Sequence, residues 1–317
     1  AKLGKTRYNL AQEVNLIVKG LDHGYLFTKD NENRKFRSAY TRIDNSLSDK
    51  YKIIIDGETY YFGSGNTTVD VDKTDNKLTK ISTIANLAMT GQSEYILVAG
   101  LPILQYKSFK DKFADNIMSY NKCNVVYQGK PFKVQIKEVT VLAQGVGAMF
   151  GLNVKDGEYI VFDIGSYTIN IALIEVINGI PYIIKYDTWF KGVLTLYNDI
   201  IKEVNRIHTV TLPPEYAEKI LKEGLIVHAE QKDTKWISEM LNDYLVDILS
   251  KFKANYPYAV TPILLHGGGG SLLKEIFDKM FNNYVLLGNS QFANAIGYYN
   301  FGVQKYGNLL ERRNKYA

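Results

Sequence analysis

Cysteine is all but missing from this chain, with a single one, Cys123, in 317 residues. A lone thiol excludes an internal disulfide, and its neighbours Lys122 and Asn124 supply neither the histidine nor the second cysteine of a metal or redox centre. This usage points to a reducing compartment and an inert Cys123. No apolar run approaches the ~20 residues that span a bilayer, and the opening "AKLGKTRYNLAQEV" lacks the apolar core of a signal peptide. The expected location is therefore the cytoplasm, without a membrane partner. Blocks of like charge are missing too. The 38 basic and 33 acidic residues are scattered, for a net +5, so no direct nucleic-acid contact is expected. The P-loop pattern and the Gly-x-Gly-x-x-Gly fingerprint are absent at the strand–helix turns, which disfavours the P-loop and Rossmann folds.

What is present is a chain 46% hydrophobic and long enough for two domains. "NLIVKGLD" and "YLFTKD" read as strands either side of a tight turn, and Asp56-Gly57 inside "YKIIIDGETYYFG" signals a hairpin. A helix carries Ile81, Ile84, Leu87 and Ala88 on one face, and a second spaces Phe109, Phe113 and Ile117. "AQGVGAMFG" reads as a short helix. Beyond it "EYIVFDIG", "YTINIALIEVI" and "IPYIIKYD" read as a three-stranded meander, its last turn made by Asn178-Gly179. This repeats in kind the opening of the first half. Helices follow, one with Trp236, Met240, Tyr244, Ile248 and Phe252 at helical spacing, then the strand "TPILLHG" and the helix "SLLKEIFDKMF".

Three strand-to-turn segments have the chemistry of one site. The first holds Asp22, His23, Gly24 and Lys29, the second Asp163, Gly165, Ser166 and Thr168, and the third Gly267 to Gly270 before a helix. A carboxylate ending an apolar strand is costly unless something meets it. Glycines at such turns let backbone N–H groups approach a phosphate, and Lys29 adds compensating charge. Two aspartates beside a phosphate make sense around a hydrated Mg²⁺, which prefers carboxylates, waters and phosphate oxygens. A lone Asp-x-Gly is most often a plain turn, and a glycine run before a helix is often a close-packed crossing. Their joint order is far more specific.

That order resembles the actin, sugar kinase and heat-shock ATPase superfamily, and within it the ParM and StbA plasmid-segregation actins of bacteria. The resemblance rests on "GLDHGYLFTK", "YYFGSGN", "NKLTKISTIANLA", "VAGLPI", "AQGVGAMFG", "VFDIGSYTINIALIE", "LLHGGGG" and "NSQFANAIGYYNFG", which span nearly the whole chain. It implies an α/β actin-like ATPase fold, two RNase H-like domains around a nucleotide cleft. Domain I would run over 14–162, with a small upper subdomain at about 36–85, and be completed by 296–317; domain II would be 163–295.

Carried over by position, the resemblance makes Asp22 and Asp163 organisers of the Mg²⁺ shell through water. Gly24, Tyr25 and Lys29 would contact phosphates from one domain, and Gly165, Ser166 and Thr168 from the other. Gly267, Gly268 and Gly269 would line the adenosine, with Gly192 and Asn198 as neighbours. Gln144 falls where the family positions the attacking water. A glutamine orients water but is a poor general base, which suits hydrolysis rather than transfer to a sugar hydroxyl. His23 and His266 read as a turn residue and a strand-end packing residue. The implied function is an ATPase, with GTP the alternative nucleotide. It would polymerise with copies of itself and move plasmids through a ParR-type adaptor on centromere-like DNA. A small-molecule kinase of the same superfamily and a nonpolymerising or membrane-associated scaffold are the alternatives.

Overall fold

The computed structural model describes residues 16–44, 49–65, 73–74, 77–150, 152 and 154–314. The extension before the first strand and most of "VDVDKTDN" lie outside these residues.

Nine strands form the first sheet: β1 (Leu16–His23), β2 (Phe27–Asp30), β3 (Lys35–Arg37), β4 (Tyr40–Thr41), β5 (Lys52–Ile55), β6 (Glu58–Phe62), β7 (Glu94–Leu101), β8 (Lys122–Tyr127) and β9 (Lys130–Ala143). Their order is β3-β2-β1-β7-β9-β8-β5-β6-β4. Helices α1 (Lys77–Ala88) and α2 (Ile103–Ser119) cover one face, closing a core that includes Leu21, Leu97, Ile84 and Phe113. The second sheet is ordered β12-β11-β10-β15-β16, from β10 (Gly157–Ile164), β11 (Ile169–Ile177), β12 (Ile180–Trp189), β15 (Ile263–His266) and β16 (Tyr284–Leu286). Between β12 and β15 come α3 (Val193–His208), α4 (Tyr216–Glu223), the small hairpin β13 (Leu225–Val227) and β14 (Glu230–Lys232), and α5 (Trp236–Asn255). Helices α6 (Gly268–Leu272) and α7 (Lys274–Met280) follow β15, and α8 (Ala293–Asn314) follows β16.

The two halves repeat one construction. In each, an antiparallel meander comes first (β1-β2-β3 and β10-β11-β12), and its first strand then pairs in parallel with a strand that arrives after a helical crossover. The carboxyl ends of β1 and β10 therefore occupy equivalent places. Apolar alternation fixes which side each strand presents. In β10, Ile160, Phe162 and Ile164 face the α3 and α5 core, while Val161 faces Ala143, Val146 and Ile103 on the other side.

The hairpins at Asp56-Gly57 and Asn178-Gly179 form as expected, with positive φ at both central residues (49° and 87°; 52° and 75°). The short helix expected in "AQGVGAMFG" forms as a 3₁₀ turn over Val146–Met149, and two other details differ from expectation. "SLLKEIFDKMF" is broken into α6 and α7 at the buried Leu273. Phe109 is 43% exposed while Phe113 and Ile117 are fully buried. Each four-residue step overshoots a helical turn by about 40°, so Phe109 has drifted off the stripe that Phe113 and Ile117 define.

Candidate functional site

The repeated meanders deliver two equivalent turns to one cleft. At the first, Asp22 ends β1 beside Gly24 and Tyr25, and the antiparallel register sets Lys29 opposite Asp22. At the second, Asp163 lies near the end of β10 opposite Asn170, and Gly165 to Thr168 make the turn. Both turns are too tight for side chains at their glycines. A Cβ on Gly24 would sit 2.5 Å from the Phe27 carbonyl oxygen, and one on Gly165 would sit 2.9 Å from that of Thr168. The third segment enters from β15, where Gly267 has φ +87° and a Cβ would stand 2.5 Å from Asp163 Oδ1. One pocket is lined by Asp22, Gly24, Tyr25, Lys29 and Gln144 from the first half and by Asp163, Gly165, Ser166, Thr168, Gly267 and Gly268 from the second.

The buried carboxylates are met, each by different partners. Asp22 Oδ2 pairs with Lys29 Nζ at 2.6 Å, and its Oδ1 accepts a hydrogen bond from Gln144 Nε2 at 2.8 Å. Burial alone would push the Asp22 carboxyl up, but the charge and hydrogen bond of Lys29, with Lys73 behind, outweigh it and hold the group below its ordinary value. Asp163 Oδ2 accepts from Asn294 Nδ2 at 3.0 Å, and Asn294 Oδ1 accepts from the Gly145 N–H at 3.0 Å. One amide thus ties Asp163 to the residue after Gln144. His266 completes this corner, with Nδ1 3.5 Å from Asp163 Oδ1 and Nε2 3.2 Å from the Gly145 carbonyl oxygen.

Behind the first turn lies a second layer. His23 Nε2 is 2.8 Å from Thr83 Oγ1 on α1, and burial followed by the charge of Lys73 pulls its imidazole down to about 3, so the ring is neutral. Lys73 is itself buried and donates to the His23 carbonyl. Burial lowers its ammonium to about 8 against the pull of Asp22. Its Nζ stands 4.0 Å from the centroid of the Tyr25 ring.

Comparison with known proteins fits this arrangement. Residues 20–147 match the model for actin-like protein N-terminal domains, and residues 161–279 match that for the C-terminal region of the archaeal, MreB-like actin homologue. The chain belongs to the actin-like proteins. No curated protein matches it in sequence. Among solved structures it is similar to the 15-stranded ParM filament from Clostridium botulinum, at 21% identity over 92% of this chain and 99% of that one, with a TM-score of 0.75. The archaeal actin homologue Ta0583, solved in complex with ADP, is 21% identical over 91% and 99% of the two chains, with a TM-score of 0.75. The Alp12 filament structure is 21% identical over 92% and 99%, with a TM-score of 0.65. At these identities the likeness establishes the actin-like fold.

Within this actin-like fold, three expected residues stand outside the pocket lining. Gly192 starts α3, and its N–H donates to the Tyr167 carbonyl; a Cβ there would strike the Ser166 and Tyr167 backbone at 2.5 Å. Its place is to seat α3 against the second turn. Gly269 packs on Ile164 and Val193, with a Cβ position 2.3 Å from Ile164 Cγ2, whereas Gly268 is exposed to the cleft. Asn198 is exposed on α3 and does not line the pocket. Conversely Asn294, Asn170, Tyr167, Gln291 and Glu218 line it without having been singled out. Asn294 stands inside the quoted "NSQFANAIG", yet only the docking of α8 aims its amide at Asp163.

The side chains here fit a hydrated cation better than a protein cage. Among the described residues no group of three or more His, Cys, Asp or Glu converges to hold a bare metal ion. The two strand-end carboxylates, each already in a hydrogen-bond network, suit Mg²⁺ that keeps its waters and takes oxygens from a phosphate.

Proposed function

We propose that this actin-like chain is a Mg²⁺-dependent ATPase of the ParM type, with GTP the alternative nucleotide. It polymerises into filaments in the cytoplasm and segregates plasmid DNA through a ParR-type adaptor. The observation that carries the reading is the convergence of Asp22 and Asp163, from equivalent strands of the two halves, on one pocket closed by glycine turns. The likeness to filament structures and to an ADP-bound homologue supports it.

In this reading the triphosphate lies between the Gly24–Tyr25 and Gly165–Thr168 turns, whose backbone N–H groups face it. Lys29 exchanges its ion pair with Asp22 for a phosphate oxygen. Asp22 and Asp163 would hold Mg²⁺ through water, and the chemistry it would supply there is to offset charge on the phosphates. Gln144, held by Asp22, orients the attacking water from its amide. The base and ribose lie against Gly268, with Tyr197 and Glu218, which also line the pocket, as neighbours. The two domains are 14–162, completed by 296–317, and 163–295. Since a single ligand touches both, its hydrolysis weakens their closure and couples nucleotide state to subunit contacts. Head-to-tail association of such a subunit gives an open filament.

The test is phosphate release from Mg-ATP together with electron microscopy in Mg-ATP, in ADP and without nucleotide. Asp163→Ala is expected to abolish release; turnover at the wild-type rate removes Asp163 from the assignment. Absence of filaments at high concentration in all three states overturns polymerisation and turns the reading to a kinase or scaffold.

A further inference from the structure

One row of side chains crosses the cleft at the two turns. Tyr25, on the first turn, lies with its ring centroid 4.8 Å from that of Tyr167 on the second, at an interplanar angle of 53°. Both rings line the pocket. Tyr167 is in turn edge-on to Phe190 at 5.7 Å, just past the end of β12. Lys73 places its ammonium 4.0 Å from the centroid of Tyr25 and also donates to the carbonyl of His23, the residue between Asp22 and Gly24. The first turn is therefore gripped twice by one buried cation, at its backbone and at its ring.

We propose that Tyr25 and Tyr167 form a clasp across the cleft that fixes the spacing of the two phosphate turns, and that Lys73 is the positioning residue that holds Tyr25 in it. The inference rests on the reading of the cleft as a nucleotide site. Three features carry it. Tilted contact at this separation is a favourable aromatic arrangement. A cation on a desolvated ring is strongly attracted to it, and Lys73 is buried. Two further contacts between the halves among the described residues, Arg37 with Glu215 and Lys35 with Gln291, are between exposed side chains, where pairs contribute little. The buried ties from Asn294 and His266 to Gly145 join the halves beside Asp163, whereas the clasp joins the two turns themselves. A spacing set by side chains rather than by the ligand preorganises the site and slows nucleotide escape.

The experiment is a double-mutant cycle on Tyr25→Leu and Tyr167→Leu, read in two ways. Chemical denaturation without nucleotide reports whether the rings are coupled in the free protein, and displacement of a fluorescent ADP analogue reports the dissociation rate. Each single variant is expected to release nucleotide about fivefold faster, and the double variant no faster than the worse single one. Tyr167→Phe, which keeps the ring, should stay within about twofold of wild type. Lys73→Met should match the Tyr25→Leu effect on release, with Lys73→Arg restoring most of it. Coupling in denaturation together with non-additive release rates supports the clasp. Additive effects in either readout overturn it, while nucleotide binding by the wild type leaves the function reading intact. A wild type that binds neither ADP nor ATP overturns that reading and the role of the clasp with it.

Discussion

Lys19 and Asp30, on adjoining strands of the first sheet, are both completely buried and paired at 2.9 Å, with Arg34 Nε 2.8 Å from the same Asp30 oxygen. Burial works to raise the Asp30 carboxyl, but hydrogen bonds and charge from Lys19 and Arg34 hold it below its ordinary value. A carboxyl depressed in the folded state adds stability that is fully present above the unfolded value of ~3.9 and is lost as pH falls through the folded one. Lys19→Met leaves Asp30 buried without its main partner, so we expect a loss of about 3–5 kcal/mol at pH 7 in urea denaturation. Because the depressed value is lost too, the variant should shed less stability than wild type between pH 5 and pH 3. A parallel fall in both proteins would show that other carboxylates govern acid unfolding. Gln144 poses a different single-residue question. Its amide touches Asp22 rather than the chain around it, so Gln144→Ala is expected to fold normally and to lower phosphate release by ~100-fold, the scale of one water-positioning group. An unchanged rate removes Gln144 from the mechanism.

At the scale of elements, α8 packs on the first half through side chains such as Tyr298 on Val98 and Leu142, and at two glycines its backbone approaches closely as well. A Cβ on Gly297 would lie 1.9 Å from the Gly147 carbonyl oxygen, and one on Gly20 would lie 2.1 Å from that of Ala295. Gly297→Ala should therefore destabilise by roughly 4 kcal/mol or more, the range reached when a core must shift. Tyr298, fully buried on the same helix, has a hydroxyl without a partner among the described residues, and burial raises it well above its ordinary value. Tyr298→Phe removes that orphan and is expected to raise stability by about 1 kcal/mol; a loss would reveal a partner for the hydroxyl. These contacts mark where the sequence stops being legible. Asp22, Asp163 and their glycine turns can be read from the chain because a carboxylate at the end of an apolar strand is a local anomaly. The hairpins at Asp56 and Asn178 can be read because φ > 0 demands those residues locally. Asn294, Tyr167 and Lys73 act through neighbours up to 149 residues away, Gly145 for Asn294, so no window of sequence carries their signal. Gly192 and Gly269 were legible as special glycines, but packing and ligand approach ask for the same residue, and only the observed neighbours separate the two.

At the scale of the whole molecule, the pocket is the place where a single ligand can touch both halves. A ligand that binds only the folded, closed arrangement should stabilise it by mass action rather than by remaking the fold. A nucleotide at 100 times its dissociation constant adds about 2.7 kcal/mol, worth on the order of 5 °C in the melting temperature of a chain this long. We expect Mg-ATP to shift the melting of wild-type protein by that amount, and to do so less when EDTA removes the ion. Asp22→Ala and Asp163→Ala remove the two carboxylates from opposite halves, so each should lose most of the shift even though the other half of the site is intact. If Asp163→Ala kept the full shift while Asp22→Ala lost it, the nucleotide would be held by the first half alone. Closure could then not depend on the ligand, and the link from nucleotide state to filament contacts would fail with it.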